Sequence, residues 1–165
     1  MPAPVSNAAP LTREAFAPFG DVIEKAGSPS FPINAGNCQR HHALATTDIE
    51  GDGARAVISI FDARPYALPL ALPLVERHPL GSQAFFPLAA RRWLVVVFED
   101  EDGRPVRPAA FLAGPNQGVN IARGVWHAVL TPLDAAADFL VVDRDGSGDN
   151  LEEFHFDTRP VVTLG

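Results

Sequence analysis

The stretch Trp93-Leu-Val-Val-Val-Phe-Glu99 runs directly into Asp-Glu-Asp-Gly103, and the apolar segment Ala109-Ala-Phe-Leu112 follows. A β-branched and aromatic run that ends in acidic residues and a glycine is typical of a strand entering a turn. The acidic residues of this turn lack the ligand spacing of a calcium loop, so we interpret them as a solvated hairpin tip. The middle of the chain is therefore predicted to be β structure.

Similar short runs, separated by turn residues, occur on both sides of this segment. Ten are predicted as strands, at Asp21–Glu24, Ala56–Phe61, Leu72–Arg77, Gln83–Pro87, Trp93–Glu99, Ala109–Leu112, Gly118–Ile121, Val125–Leu130, Phe139–Asp143 and Glu153–Phe156. The turns at 78–82, 99–103, 114–117 and 145–149 predict hairpins. One short helix is expected at Thr12–Phe19, with Thr12 as its N-cap. Many short strands with little helix predict an all-β sandwich or barrel.

Length and charge limit the possible partners. The 165 residues show no internal boundary and predict a single domain, 1–165. Thirteen Lys and Arg residues against twenty Asp and Glu residues give a net charge of −7, which disfavours nucleic acid and anionic lipid as partners. The single cysteine, Cys38, excludes an intrachain disulfide, and the first ten residues lack a signal peptide's apolar core. We therefore expect a cytoplasmic protein with a small-molecule ligand.

Two stretches place polar, ligand-capable side chains inside otherwise apolar strands. In Glu76-Arg-His78-Pro-Leu-Gly-Ser-Gln83, alternation puts Glu76 and His78 on one face of an extended chain, and the turn returns Gln83 beside them. In Gly118-Val-Asn-Ile-Ala-Arg-Gly-Val-Trp-His127, two glycines bracket a turn and His127 follows on a new strand. By contrast, Asp143 and Arg144 at a strand end are expected to face solvent.

Together these stretches resemble the two metal-binding motifs of the cupin superfamily, whose fold is a double-stranded β-helix barrel, or jelly roll. The usual first motif, His-x-His-x(3–4)-Glu, is here Glu76-x-His78-x4-Gln83, and His127 matches the second motif. The resemblance implies metal ligands at Glu76, His78, Gln83 and His127. This nitrogen- and oxygen-rich set carries a charge of −1 and suits a divalent ion such as Ni, Mn or Zn.

Several longer segments are more specific than these two motifs. By them the chain is identified as a member of the ureidoglycolate lyase family. The matching segments are Glu76-Arg-His-Pro-Leu-Gly-Ser-Gln-Ala-Phe85, Gln117-Gly-Val-Asn120, Arg123-Gly-Val-Trp-His127 and Asp138-Phe-Leu-Val-Val-Asp-Arg144. The resemblance implies cleavage of ureidoglycolate into glyoxylate and urea in allantoin degradation, a homodimer, and nickel or another divalent ion. The chain departs from the family pattern at His41, Asp62 and Ala128, where an aromatic residue, an arginine and a histidine are usual.

The residue types agree with this chemistry. Ureidoglycolate is a carbinolamine, so its cleavage needs a base for the hydroxyl proton, an acid for the departing nitrogen and a cation for the carboxylate. Glu76, His78 and His127 are the catalytic candidates, and Glu76 is a candidate base if it is not a ligand. The substrate-binding candidates are Arg123 for the carboxylate, Gln83 or Asn120 for the urea group, and Arg40 and His42.

Two other functions fit the same fold. One is a different metal-dependent cupin enzyme, either an isomerase or a dioxygenase. The other is a non-catalytic barrel that binds a small carboxylate, because the fold alone does not define the function. The sequence leaves open the identity of the metal, the general base and the dimer interface.

Overall fold

The computed structural model describes residues 2–165, so Met1, the first residue of the predicted domain, lies outside the described range. One short α-helix, α1, covers Arg13–Phe16, and a single 3₁₀ turn covers Asn34–Gly36. The strands are β1 Val5–Asn7, β2 Ala9–Pro10, β3 Gly20–Ile23, β4 Phe31–Ile33, β5 Cys38–Arg40, β6 Arg55–Ala63, β7 Leu70–Ala71, β8 Leu74–Arg77, β9 Gln83–Pro87, β10 Trp93–Glu101, β11 Arg104–Ala113, β12 Gly118–Ile121, β13 Trp126–His127, β14 Thr131–Pro132, β15 Ala137–Asp145, β16 Glu152–His155 and β17 Val161–Thr163. The prediction of an all-β fold with a short N-terminal helix is confirmed.

Two large sheets face each other and form the barrel. The first has the strand order β16-β8-β13-β10-β11-β2, with β14 also paired to β10. The second has the order β3-β12-β9-β15-β6. A three-stranded sheet, β1-β17-β7, and the small hairpin β4-β5 lie outside these two. This is the cupin-like double-stranded β-helix barrel that the sequence predicted.

Apolar side chains from both large sheets fill the space between them. Trp93 of β10 packs edge-on against Phe139 of β15, with ring centroids 5.0 Å apart, and Phe85 of β9 lies 6.4 Å from the same tryptophan. Phe16 of α1 closes one end of this core and is fully buried. The core therefore holds the two sheets at a fixed separation, which sets the dimensions of the barrel interior.

A second apolar cluster covers the outer side of the first large sheet. Leu94, Val96 and Phe98 of β10 pack there with Trp126 and Val162. Because the alternate residues of β10 lie in the inner core, every residue from Trp93 to Phe98 is buried. Burial on both faces explains why this strand is an uninterrupted apolar run rather than an alternating one.

The turn at 99–103 joins β10 and β11 as a hairpin, as predicted. The other three turns carry the chain from one large sheet to the other, and the strands they join are not paired within residues 2–165. The hairpin predictions at 78–82, 114–117 and 145–149 are therefore wrong. Turn residues specify that the chain reverses, but long-range packing decides which sheet receives the next strand.

Several element boundaries also differ from the predictions. The helix ends at Phe16, although Thr12 caps it as expected by accepting a hydrogen bond from the Ala15 amide at 3.2 Å. Within the predicted strand Val125–Leu130, only Trp126 and His127 form a strand that pairs with its neighbours. Within residues 2–165, no helix has the length and apolar character needed to cross a bilayer.

Gly118 provides a test of how closely the strands of the second sheet pack. A Cβ atom at this position would lie 2.4 Å from the Phe85 carbonyl oxygen on the neighbouring strand. We expect Gly118→Ala to destabilise the fold by about 1–3 kcal/mol, because backbone must shift to relieve the clash. At Gly114 the nearest atom, the Gln117 Oε1, would lie at 3.5 Å, so Gly114→Ala should stay within about 0.5 kcal/mol of wild type. Urea unfolding of both variants measures the difference; equal stabilities would contradict this packing.

Candidate active site

The two-residue strand β13 brings the predicted motifs together. It lies between β8 and β10, and its ladder places His127 directly opposite Glu76. His78 follows β8 by one residue and lies on the Glu76 side of the strand, as alternation requires. The His78 carbonyl also accepts a hydrogen bond from the Gly124 amide at 2.9 Å. The backbone therefore fixes all three side chains on one side of the sheet.

The ligand-capable atoms of these residues converge on one point. The Nε2 atoms of His127 and His78 lie 3.6 Å and 3.8 Å from Oε1 of Glu76. One ligand atom from each residue falls within 4.8 Å of the other two, and the imidazole centroids are 5.3 Å apart. The predicted convergence of Glu76, His78 and His127 is thus present in the folded chain.

Backbone carbonyls determine which imidazole nitrogen faces this point. Nδ1 of His78 donates to the Asn150 carbonyl at 2.8 Å, and Nδ1 of His127 donates to the Val125 carbonyl at 3.1 Å. Because a carbonyl oxygen can only accept, both Nδ1 atoms carry hydrogen, so the neutral form of each ring presents the lone pair of its Nε2. Both Nε2 atoms are buried and have no hydrogen-bond partner within residues 2–165.

Glu76 adds negative charge at the same point. The contact with His127 lowers the pKa of the Glu76 carboxyl below its usual value; burial opposes this shift, and protonation of His127 or His78 reinforces it. At 3.6 Å the contact is longer than a hydrogen bond, so we treat it as electrostatic. Two imidazole lone pairs and a carboxylate oxygen therefore face one another, and a divalent cation is a group that fits between them.

Gln83 reaches the site from the opposite sheet. It is buried at the start of β9, where its Nε2 donates to Oδ2 of Asp143 at 3.1 Å. Its Oε1 is buried without a partner within residues 2–165. The expectation that Asp143 faces solvent is wrong, because Asp143 continues the inner row of β15 that contains Phe139 and Val141. That two-residue spacing was the sequence signal for its position.

A cavity of about 390 Å³ adjoins these residues. It is lined by Phe61, Asp62, Ala63, Glu76, Gln83, Phe85, His127, Val129 and Leu130. One wall is apolar, and the polar groups are concentrated at Glu76, Gln83, His127 and Asp62. Among residues 2–165, no arginine or lysine lines the cavity. The pocket is thus of small-molecule size and carries negative rather than positive side chains.

Arg123 lies outside the lining of this cavity. Its Nε contacts Oδ2 of Asp48 at 3.1 Å, and its Nη2 lies 3.4 Å from Oε1 of Glu50. Both ion pairs are solvent-exposed. To hold a substrate carboxylate in the cavity, the guanidinium would have to leave these partners, so the substrate-binding role of Arg123 stays a prediction.

Of the other predicted substrate-binding residues, Gln83 lines the cavity, whereas Asn120, Arg40 and His42 are not brought to it. Asn120 is buried on the opposite face of β12, where its Nδ2 donates to the Thr46 carbonyl at 3.0 Å. Arg40 is exposed at the end of β5, and His42 packs against Phe31 with ring centroids 6.0 Å apart. Alternation separates Asn120 from the core residues that flank it in sequence, and this parity could have been read from the strand pattern.

The barrel and its cluster of two histidines and a glutamate define a cupin-type protein with a candidate metal centre. A solved structure of a dTDP sugar isomerase from Desulfovibrio desulfuricans G20 has a similar fold, with a TM-score of 0.50 and 15% sequence identity. The matched region covers 84% of this chain and 85% of the isomerase chain. At that identity the likeness shows the fold alone.

Sequence comparison gives the family. The family model described as ureidoglycolate lyase matches residues 4–163, and the chain belongs to this family. A ureidoglycolate lyase of Rhodobacter capsulatus is 59% identical over 145 residues, covering 88% of this chain and 89% of that protein. One from Chelativorans sp. is 58% identical over 149 residues, covering 90% of each, and one from Mesorhizobium japonicum is 57% identical over 150 residues, covering 91% and 92%.

The convergence of three ligand atoms generates a prediction about metal binding. We expect the metal-free protein to bind one divalent ion, and Glu76→Ala or His78→Ala to weaken binding by about 100-fold or more, because each removes one of the converging donor atoms. His155→Ala is the matched control, since His155 is exposed and pairs with Glu153 away from the site. Calorimetric titration with Ni²⁺ measures the affinities; equal affinities for the wild type and the two site variants would contradict the assignment.

Proposed function

We propose that this protein is a ureidoglycolate lyase, which cleaves ureidoglycolate into glyoxylate and urea. The observation that carries the proposal is the cluster of Glu76, His78 and His127, of which Glu76 and His127 line a small cavity. The cluster occurs in a chain whose relatives, at more than 55% identity over about nine tenths of its length, are ureidoglycolate lyases.

Cleavage of ureidoglycolate requires few catalytic groups from the protein. The central carbon of ureidoglycolate carries a hydroxyl, a carboxylate and the ureido nitrogen. Cleavage of the carbon–nitrogen bond converts the hydroxyl to the aldehyde of glyoxylate, and the nitrogen leaves with a proton as urea. The net change transfers one proton from oxygen to nitrogen, so a single carboxylate that accepts and then donates this proton is sufficient.

A divalent ion fits the donor set described above. Glu76, His78 and His127 would hold it, with Oε1 of Gln83 as a fourth donor. When bound, such an ion supplies positive charge that acidifies the substrate hydroxyl and attracts its carboxylate. Because the lining of the cavity includes no arginine or lysine among residues 2–165, this charge is needed to accept an anionic substrate. We propose nickel or a similar divalent metal.

The side chains of the cavity perform the remaining tasks. Glu76 turns one carboxylate oxygen toward the histidines and has a second with which to take the hydroxyl proton and return it to the departing nitrogen. Its lowered pKa keeps the carboxylate ionised at neutral pH. Phe61, Phe85 and Leu130 exclude water from the apolar wall, which strengthens electrostatic interactions with the substrate.

Turnover of ureidoglycolate tests the proposed function. We expect stoichiometric glyoxylate and urea from the wild type, and a loss of about 10²–10⁴-fold in His127→Ala, because this change removes one of the converging donors. The exposed His155→Ala variant should retain full activity. Circular dichroism confirms that the variants are folded. Binding without turnover would indicate a carboxylate-binding barrel, and ammonia in place of urea would indicate hydrolysis; either result overturns the proposal.

We also propose that the protein is a homodimer that uses the outer face of β6. Ile58 and Ile60 project from this face and are 74% and 63% exposed. β6 is also the edge of its sheet among residues 2–165, so its backbone is open on one side. Apolar side chains beside an open strand edge are typical of a self-association surface, and a second copy of the chain offers the same surface in return.

The oligomeric state tests this interface. We expect the double variant Ile58→Asp/Ile60→Asp to shift the protein from dimer to monomer at micromolar concentration, because buried carboxylates oppose association. Val5→Asp is the matched control, since Val5 is 66% exposed but lies on β1, outside both large sheets. Light scattering coupled to gel filtration gives the masses. A wild-type monomer, or a double variant that remains a dimer, would show that β6 is not the interface.

Two further assignments accompany this proposal. We propose that the whole chain, residues 1–165, acts as one domain, because the inner core draws side chains from segments between Leu11 and Val141. We place the reaction in the cytoplasm. The exposed, unpaired thiol of Cys38 is compatible with a reducing compartment.

A further inference from the structure

A carboxylate lies behind Gln83 in the wall of the barrel. We propose that Asp143 is a positioning residue: it holds the Gln83 amide so that Oε1 faces the candidate metal centre and supplies a neutral oxygen ligand. The inference rests on the metal centre of the proposed function and assigns a role to a residue that touches neither the ion nor the substrate. Three features of the Gln83 environment support it.

The first feature is the direction of the hydrogen bond. A glutamine amide has a donor end and an acceptor end of nearly the same shape, so its orientation depends on its partners. A carboxylate can only accept, and Oδ2 of Asp143 takes the Nε2–H of Gln83 at 3.1 Å. The NH₂ group is thereby turned toward Asp143. The opposite orientation would bring two acceptor oxygens into contact and present a donor to the ion.

The second feature is the state of the other end of the amide. Gln83 is only 6% exposed, and its Oε1 is buried without a hydrogen-bond partner within residues 2–165. A buried acceptor without a partner is costly and is uncommon outside functional sites. The Nε2 atoms of His78 and His127 are in the same condition. Oδ1 of Asn120, on the other face of β12, is also without a partner among the described residues, but only Gln83 lines the same cavity as Glu76 and His127. This shared cavity is what points to a common cationic ligand.

The third feature is the position of Asp143 in the sheet. Strands β9 and β15 are paired, with Val141 opposite Phe85, so the next inward-facing residues along the two strands are Asp143 and Gln83. The inner row of β15 is otherwise apolar, at Phe139 and Val141. Asp143 is half-buried in this row, and a polar partner offsets its partial loss of contact with water. Gln83 provides that partner and gains a fixed orientation in return.

The same contact explains why an amide is suited to position 83. A glutamate there would place a second carboxylate against Asp143, and the two like charges would repel each other. Glutamine presents an acceptor oxygen to the site and a donor to Asp143 without this repulsion. The identities of residues 83 and 143 are therefore coupled, and this coupling is measurable.

A double-mutant cycle on Ni²⁺ affinity tests the coupling. The proteins are the wild type, Asp143→Asn, Gln83→Glu and the double variant, each prepared without metal and titrated by calorimetry. Asp143→Asn alone should weaken Ni²⁺ binding by about 10-fold or more, because the asparagine NH₂ competes for Oε1 of Gln83. In the Gln83→Glu background, the same change should strengthen binding, because it removes a like charge and gives the new carboxylate a donor.

Opposite effects of Asp143→Asn on Ni²⁺ affinity in the two backgrounds distinguish a positioning role from a purely structural one. If Asp143→Asn changes the affinity in the same direction in both backgrounds, or in neither, the inference is overturned. It is also overturned if the wild type binds no Ni²⁺, whereas the turnover of ureidoglycolate by the same preparation reports separately on the proposed function. Thermal unfolding of each protein identifies variants that fail to fold.

A second comparison keeps the test decisive if the double variant is unstable. Gln83→Met has a similar shape but no amide, so it removes both the acceptor and the bond to Asp143. We expect Gln83→Met to weaken Ni²⁺ binding, and Asp143→Asn to have no further effect on affinity in that background. A further loss of affinity in that background would show that Asp143 acts independently of Gln83 and would contradict the inference.

Discussion

The site depends on the pairing of the two-residue strand β13 with β8. This pairing sets His127 opposite Glu76, while β10 on the other side keeps β13 in place. The carbonyls of Asn150 and Val125 then turn the rings so that Nε2 of each histidine faces the same point. A shift of one residue in this short ladder would move His127 to the other face of the sheet, away from Glu76 and His78. Backbone hydrogen bonds thus establish the arrangement before any ligand binds.

On the outer side of the same strands, ion pairs and hydrogen bonds connect the neighbours of the site residues. Arg77, between Glu76 and His78, lies over the ring of Trp126 at 4.3 Å and contacts Asp100 and Glu152 at 2.8 Å and 2.6 Å. The indole of Trp126 donates to the same Asp100 carboxylate at 2.8 Å, and these bonds lower the pKa of Asp100. Each site residue therefore has a sequence neighbour anchored on the opposite face. Rigid support of this kind limits the movement of ligand-bearing side chains.

The sequence alone was sufficient for the two motifs. Alternation placed Glu76 and His78 on one side of a strand, and the family resemblance added His127. The sequence was less reliable in predicting where arginine and amide side chains lie. Arg123 looked available for a carboxylate, but Asp48 and Glu50, more than seventy positions earlier, approach it only after folding. Asn120 belongs to the correct strand but to its other face, and Asp143 was assigned to solvent although it lies on the inner row.

The sequence by itself determined the all-β class, the central apolar strand and the cap at Thr12, because these follow from local residue patterns. The residues of the candidate metal site followed from the resemblance of two motifs to a known family. Only the tertiary structure decided that three of the four turns cross between sheets, that Arg123 pairs with Asp48 and Glu50, and that Asp143 contacts the Gln83 amide. The contact between Gln83 and Asp143 joins residues that are distant in the chain. Their geometry depends on how two sheets pack around a common core, which local preferences do not specify.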